Sequence, residues 1–341
     1  MKIDAFAQTP ADQLLTSLRG KDVLFTFVES YGRSAIEDPA LAPDTVNVLD
    51  VGTAKLKKAG FAAESGFLTS PTAGGGSWLA HSTFLSGLWI DKQSRYRNLT
   101  SSSRLTLTSL FKKADFNTVS VMPGATRAWP EGNFYGYDKV YDSRNTGYVG
   151  PNFSWAPQPD QYTMSWVQKN LNTPGHAPMM IEMPLVSSHT PWAPIPEYID
   201  WDQVGDGSIY KTIQKQGKKP GSIWKDPAKV KQEYARSIQY TLTTLISYMR
   251  TYGDENTVMV MLGDHQPAPI VVGDGASHDV PITIIAKDKT VLDKISDWGW
   301  QDGLRPAPDA PVMPMSAFRD KFLTAFGPNT EPSRALSPPK R

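Results

Sequence analysis

Apolar runs and stretches of helical spacing alternate along the chain. Val23-Leu-Phe-Thr-Phe-Val28 is too continuously apolar and aromatic for a half-exposed strand, so it predicts a buried central one. Thr257-Val-Met-Val-Met-Leu262 predicts a second buried strand, and Phe61–Leu68, Thr118–Met122, Met179–Val186 and Val280–Ala286 predict four more. Between them, Asp44–Ala59, Leu105–Lys113, Tyr162–Asn172 and Asp226–Tyr252 carry apolar residues at helical spacing. The last of these opens on an Asp-Pro pair suited to an N-cap and first helical position, with Tyr234, Ile238, Leu242, Leu245 and Met249 on one face. Leu14, Leu15 and Leu18 predict a short amphipathic segment over residues 1–20, and Met315–Phe326 a C-terminal helix. There is no internal repeat.

This alternation predicts an α/β domain: a mixed, mostly parallel central sheet covered by helices on both faces. The domain is expected over 21–328, after an N-terminal segment at 1–20, with a Pro-, Ser- and Lys-bearing tail at 329–341 expected to be disordered. Residues 123–160 are aromatic and rich in Gly and Pro but show little periodicity, as expected of an active-site rim.

Composition narrows the chemistry. A chain of 341 residues with a net charge of +1 offers no broadly basic face, so a nucleic-acid partner is not expected. It has no cysteine, which removes disulfides, thiol catalysis and cysteine-bound zinc. No apolar run approaches the roughly 18 to 20 residues of a membrane span, and the sequence as it stands reads as soluble.

The candidate chemistry lies at the ends of the predicted strands, where open α/β sheets bind ligands. Glu29 follows the first strand, His189 follows Met179–Val186, and Asp264-His265 follows Thr257–Leu262. Gly74-Gly-Gly76 precedes Ser77, which opens a predicted helix, and a Gly-rich turn into a helix N-terminus is an arrangement that holds an anion. Alone, Ser77 reads equally as an N-cap after a loop. Together these oxygen and nitrogen donors suit a hard or borderline divalent cation, Mn, Zn or Mg, and metal coordination is a standard way to activate a serine hydroxyl.

The strand end Val28-Glu29-Ser30, the turn from Ser77 to Leu85-Ser86-Gly87, Ser188-His189-Thr-Pro191, Asn256 to His265, and His278-Asp-Val-Pro-Ile282 form an ordered set. In order and spacing, these residues resemble the alkaline phosphatase and sulfatase superfamily, and within it the lipoteichoic acid synthase type of phosphoglycerol transferase. The resemblance runs from about Asp22 to Lys287. It implies that Glu29, Ser77, Asp264 and His265 hold one divalent cation, with Mn placed ahead of Zn or Mg, that Ser77 is the nucleophile where that family has threonine, and that His189 stands beside the substrate. The family's pocket tryptophan matches Trp129. Its neighbouring histidine and arginine fall near Met122 and Glu131, so the glycerol-phosphate pocket is not preserved.

Sulfatases that mature a serine or cysteine to formylglycine need Pro or Ala two positions on and Arg four positions on. Here those positions are Leu79 and His81, so sulfatase chemistry is not expected. The reading is a metal-dependent transferase that moves a phospho-alcohol group through a phospho-Ser77 intermediate, or a hydrolase of the same superfamily. Arg127 and His81 would neutralise phosphate charge, and Trp129 and His278 are further substrate candidates. The resemblance also implies a phospholipid or phosphorylated-glycan substrate, an extracytoplasmic site of action and a membrane-anchored parent protein.

Overall fold

The computed structural model describes residues 3–328; the tail expected at 329–341 lies outside them. Among the described residues nine strands form one sheet: β1 (Asp22–Val28), β2 (Ala62–Thr69), β3 (Asn117–Met122), β4 (Lys139–Asp142), β5 (Met179–Leu185), β6 (Thr257–Gly263), β7 (Asp279–Ala286), β8 (Gln301–Asp302) and β9 (Val312–Pro314). Their order is β4-β3-β5-β1-β6-β7-β2-β8, with β9 also paired to β2. β1 lies parallel between β5 and β6, in register Val23 to Met180 and Val23 to Val258. β7 runs antiparallel to both β6 and β2, and β8 antiparallel to β2; the other pairings are parallel.

The apolar strands are continuous because both faces are covered. Val23, Phe25 and Phe27 of β1 enter one core with Phe84, Phe318 and Phe322, while Leu24 and Val28 enter the other with Tyr234, Ile238, Leu242 and Leu245. The first core lies beneath helices Ser77–Ser86, Leu107–Lys113 and Met315–Ala325, the second beneath Ala42–Lys58 and Pro227–Tyr252. Asp226 caps the long helix by accepting the Ala228 N–H at 3.0 Å.

Two expectations change. The segment around Leu14 forms two short 3-10 turns, Ala11–Gln13 and Thr16–Leu18, rather than an amphipathic helix. Leu14, Leu15 and Leu18 are all buried, but Leu15 between the turns takes a φ of 51°, which interrupts helical backbone there. Within 123–160 the chain also forms the edge strand β4, too short and too polar to show in the apolar pattern.

The sheet edge that carries the candidate residues is set by a close backbone approach. A Cβ at Gly263, the last residue of β6, would lie 1.8 Å from the Tyr31 carbonyl oxygen. Only glycine lets the loops after β1 and β6 touch. Gly263→Ala is expected to cost roughly 1–3 kcal/mol of stability, read as a lower denaturation midpoint. Gly221→Ala, where nothing lies within 4 Å, is the neutral control.

Candidate active site

Gly74, Gly75 and Gly76 take φ values of 72°, 148° and 79°, a run of backbone that L side chains rarely adopt, and deliver Ser77 to the first turn of its helix. The loop is tied to the end of β6. The Gly74 N–H donates to the Gln266 carbonyl at 2.8 Å, and the Ser70 hydroxyl donates to the Asp264 carbonyl at 2.6 Å. Ser77 Oγ therefore stands 2.9 Å from Glu29 Oε2, to which it donates, and 3.1 Å from His265 Nε2.

Glu29, Asp264 and His265 are buried, and each offers a ligand atom within 4.8 Å of the others, so the group can hold a metal ion. The donor chemistry fits. Asp264 Oδ1 accepts the backbone N–H groups of Ser30 and His265, both at 2.8 Å, while Oδ2 is buried with no hydrogen-bond partner. His265 Nδ1 faces the Gln266 carbonyl at 2.8 Å; a carbonyl can only accept, so Nδ1 carries the proton and Nε2 faces the carboxylates. Burial alone would lower the His265 pKa, but Asp264 and Glu29 hold it at about 10. Burial would likewise raise Asp264, yet the neighbouring His265 and His81 keep it well below the usual carboxylate range.

Ser77, Glu29 and His265 open onto a cavity of about 350 Å³, also lined by Gly74 to Gly76, His81, Trp155 and His189. His189 sits half-buried on the far wall and its ring stacks on Trp155, with centroids 4.1 Å apart. His189 Nδ1 lies 2.6 Å from the Thr190 carbonyl, which leaves Nε2 as an acceptor. The loop is braced from beneath. The Ser188 hydroxyl donates to the Glu29 carbonyl at 2.6 Å, and buried Asp160 accepts the N–H groups of Val186 and Ser187 at 2.8 and 3.0 Å.

Arg127 and Trp129 line a neighbouring cavity of about 560 Å³ that shares His81, Trp78 and Trp155 with the first. Arg127 is exposed; Trp129 is half-buried, its centroid 5.1 Å from that of Tyr135. His278 lies elsewhere: it precedes β7, one strand beyond β6, and its Nδ1 faces the Ser70 carbonyl at 3.3 Å. It is not among the lining residues of either cavity.

Sequence reasoning missed Glu182. This buried carboxylate lines the second cavity from the middle of β5 and accepts hydrogen bonds from Tyr137 and from Ser120, the latter at 3.4 Å. Burial pushes its pKa up. A lone Glu within Met179-Met-Ile-Glu-Met was the available signal, since an unpaired charge is seldom placed inside an apolar strand.

With its pKa raised, His265 holds a proton at neutral pH where a cation would sit. Cation uptake is therefore expected to release about one proton per ion and to weaken as pH falls, measured by calorimetry in buffers of different ionisation enthalpy. Asp264→Asn is expected to abolish uptake, measured by elemental analysis after dialysis.

Residues 22–283, well over half of the chain, match the family described as Sulfatase. No curated protein matches the sequence. The chain is similar to the lipoteichoic acid synthase LtaP from Listeria monocytogenes, at TM-score 0.58 and 14% identity over 92% of this chain and 74% of that one. It is similar to the zinc complex of the C-terminal periplasmic domain of EcEptC from Escherichia coli, at TM-score 0.57 and 11% identity over 91% and 83%. It is also similar to the phosphoglycerol transferase GacH from Streptococcus pyogenes in complex with sn-glycerol-1-phosphate, at TM-score 0.51 and 14% identity over 92% and 87%. At these identities the likeness shows a shared fold. The family match runs from the first residue of β1 into β7, and it shows that the chain belongs to the Sulfatase family of enzymes.

Proposed function

We propose that this enzyme is a metal-dependent phosphotransferase that moves a phospho-alcohol group, of the phosphoglycerol or phosphoethanolamine type, from a lipid donor to a cell-envelope glycan or lipid. The observation that carries the reading is the Ser77 hydroxyl, at a helix N-terminus on a cavity floor, within 2.9 Å of Glu29 and 3.1 Å of His265. LtaP, GacH and EcEptC, whose fold it shares, are a lipoteichoic acid synthase, a phosphoglycerol transferase and a protein with a periplasmic domain, and they support an extracytoplasmic place for this chain.

Glu29, Ser77, Asp264 and His265 would hold one divalent cation, Mn, Zn or Mg. When bound, the cation supplies Lewis-acid stabilisation and lowers the pKa of the serine hydroxyl. The Ser77 hydroxyl proton passes to Glu29 Oε2, its hydrogen-bond acceptor. Ser77 Oγ forms a bond to phosphorus as the bond from phosphorus to the donor's alcohol oxygen breaks, and the departing oxygen takes a proton from solvent to leave as the free alcohol. The N–H groups at the start of helix Ser77–Ser86 face the equatorial oxygens. His189 Nε2 then takes the proton of an incoming alcohol, whose oxygen displaces Ser77 from phosphorus as Glu29 returns its proton to Ser77 Oγ.

Beyond the reacting atoms, the half-exposed indoles of Trp78 and Trp155 and the second cavity behind them supply aromatic and polar surface for a large head group. Arg127 at its rim offers a cation to a phosphate. The parent protein would be membrane-anchored, with this domain facing outward.

The purified protein is expected to hydrolyse an artificial phosphodiester or phosphomonoester and to leave an aryl sulfate intact, with intact mass showing Ser77 unmodified. A loss of about two mass units at Ser77 together with sulfate release would overturn the reading, because that mass change is the serine-to-aldehyde oxidation. Trp129→Ala is expected to lower turnover of a lipid-linked or glycan substrate far more than that of a small chromogenic ester, since only the large substrate uses remote binding energy. Equal losses on both would favour a plain phosphohydrolase.

A further inference from the structure

The helix that begins at Ser77 carries a second side chain toward the buried carboxylates. His81 lies four residues on, on the same helical face, and its ring packs on Phe27 with centroids 4.2 Å apart. Its Nε2 stands 3.6 Å from Asp264 Oδ2. That is too long for a hydrogen bond. Both atoms are nevertheless buried, the Asp264 side chain only 1% exposed, and neither has a hydrogen-bond partner among the described residues. Two bare polar atoms so placed are costly, and their pairing calls for an explanation.

A cation between them supplies one. Two ligand atoms each about 2.1 Å from one ion stand about 3 to 4 Å apart. The accepted members of the group show that spacing: His265 Nε2 is 3.8 Å from the same Asp264 Oδ2 and 3.3 Å from Glu29 Oε1. Asp264 Oδ1 is already committed to two backbone N–H groups, so Oδ2 is the oxygen open to a metal, and it has an imidazole nitrogen on either hand.

We propose that His81 is a further ligand of the cation at this centre, completing a donor set of two imidazoles, two carboxylates and the serine oxygen. This rests on the reading of Glu29, Asp264 and His265 as a metal site. It reassigns His81 from neutralising substrate phosphate. A second imidazole also moves the site's preference toward zinc or cobalt and away from magnesium or manganese, because nitrogen donors suit the borderline ions.

The test is a count of imidazoles on the metal. The unaltered protein is loaded with Co²⁺, and the hyperfine-shifted, exchangeable imidazole N–H protons are counted by NMR, with X-ray absorption of the Zn²⁺ form as a second measure. Two imidazoles are expected, falling to one in His81→Gln. Chelator competition is expected to show Zn²⁺ affinity lower by roughly tenfold or more in that variant. One imidazole in the unaltered protein, or a His81→Gln variant that binds Zn²⁺ as tightly as the parent, overturns the proposal while leaving the three-residue centre standing. No uptake of either ion by the unaltered protein overturns the centre and the proposal together.

Discussion

The site depends on a buried carboxylate anchored to backbone. Asp264 accepts the Ser30 and His265 N–H groups through one oxygen, and this joins the end of β6 to the turn after β1. Gly263 permits the approach, and Tyr234 strengthens it by donating from its hydroxyl to the Ser30 carbonyl at 2.8 Å. Two carboxylates, Glu29 and Asp264, are thereby held in the interior with His265 between them. Burying such charge is tolerable only with a compensating cation, and the raised pKa of His265 is the metal-free form of that compensation.

The surrounding elements serve this anchor. The Gly-rich loop is hydrogen-bonded to the main chain just after β6, and the His189 loop to the main chain at the end of β1, so neither is held by side-chain packing alone. The side chains around Ser77 thus sit on a scaffold with little freedom to drift, which would matter to the proposed reaction because a displacement of about 1 Å can cost on the order of a hundredfold in rate.

Much of this was legible in the sequence because burial on both faces leaves uninterrupted apolar runs. β1, β5 and β6 read directly as such, and the polar residues where those runs stop are the ones that meet. Other features are set by tertiary contacts that no local pattern records. The Leu14 segment has helical spacing, yet it packs as two turns because the Ser17 N–H donates to the carbonyl of distant Phe326. Glu182 and Trp155 gain their positions from strand order and stacking, and His278, which precedes β7, is set against the Ser70 carbonyl. The contact between His81 and Asp264 joins residues far apart in the chain, and spacing along the helix alone gave only the face on which His81 lies.

The reversed direction of β7 bears on how this fold can diversify. β6 ends and β7 begins at the same edge of the sheet, so residues 264–278 leave and return without a crossover helix. Such a connection can lengthen or shorten without altering strand order or the packing of either face. Its first residues, Asp264 to Gln266, are pinned by the contacts described above, while the remainder includes several exposed positions. Insertions in that stretch would reshape the approach to Glu29, Asp264 and His265 while leaving those residues in register, making it a natural place for new specificities to arise over an unchanged arrangement beneath.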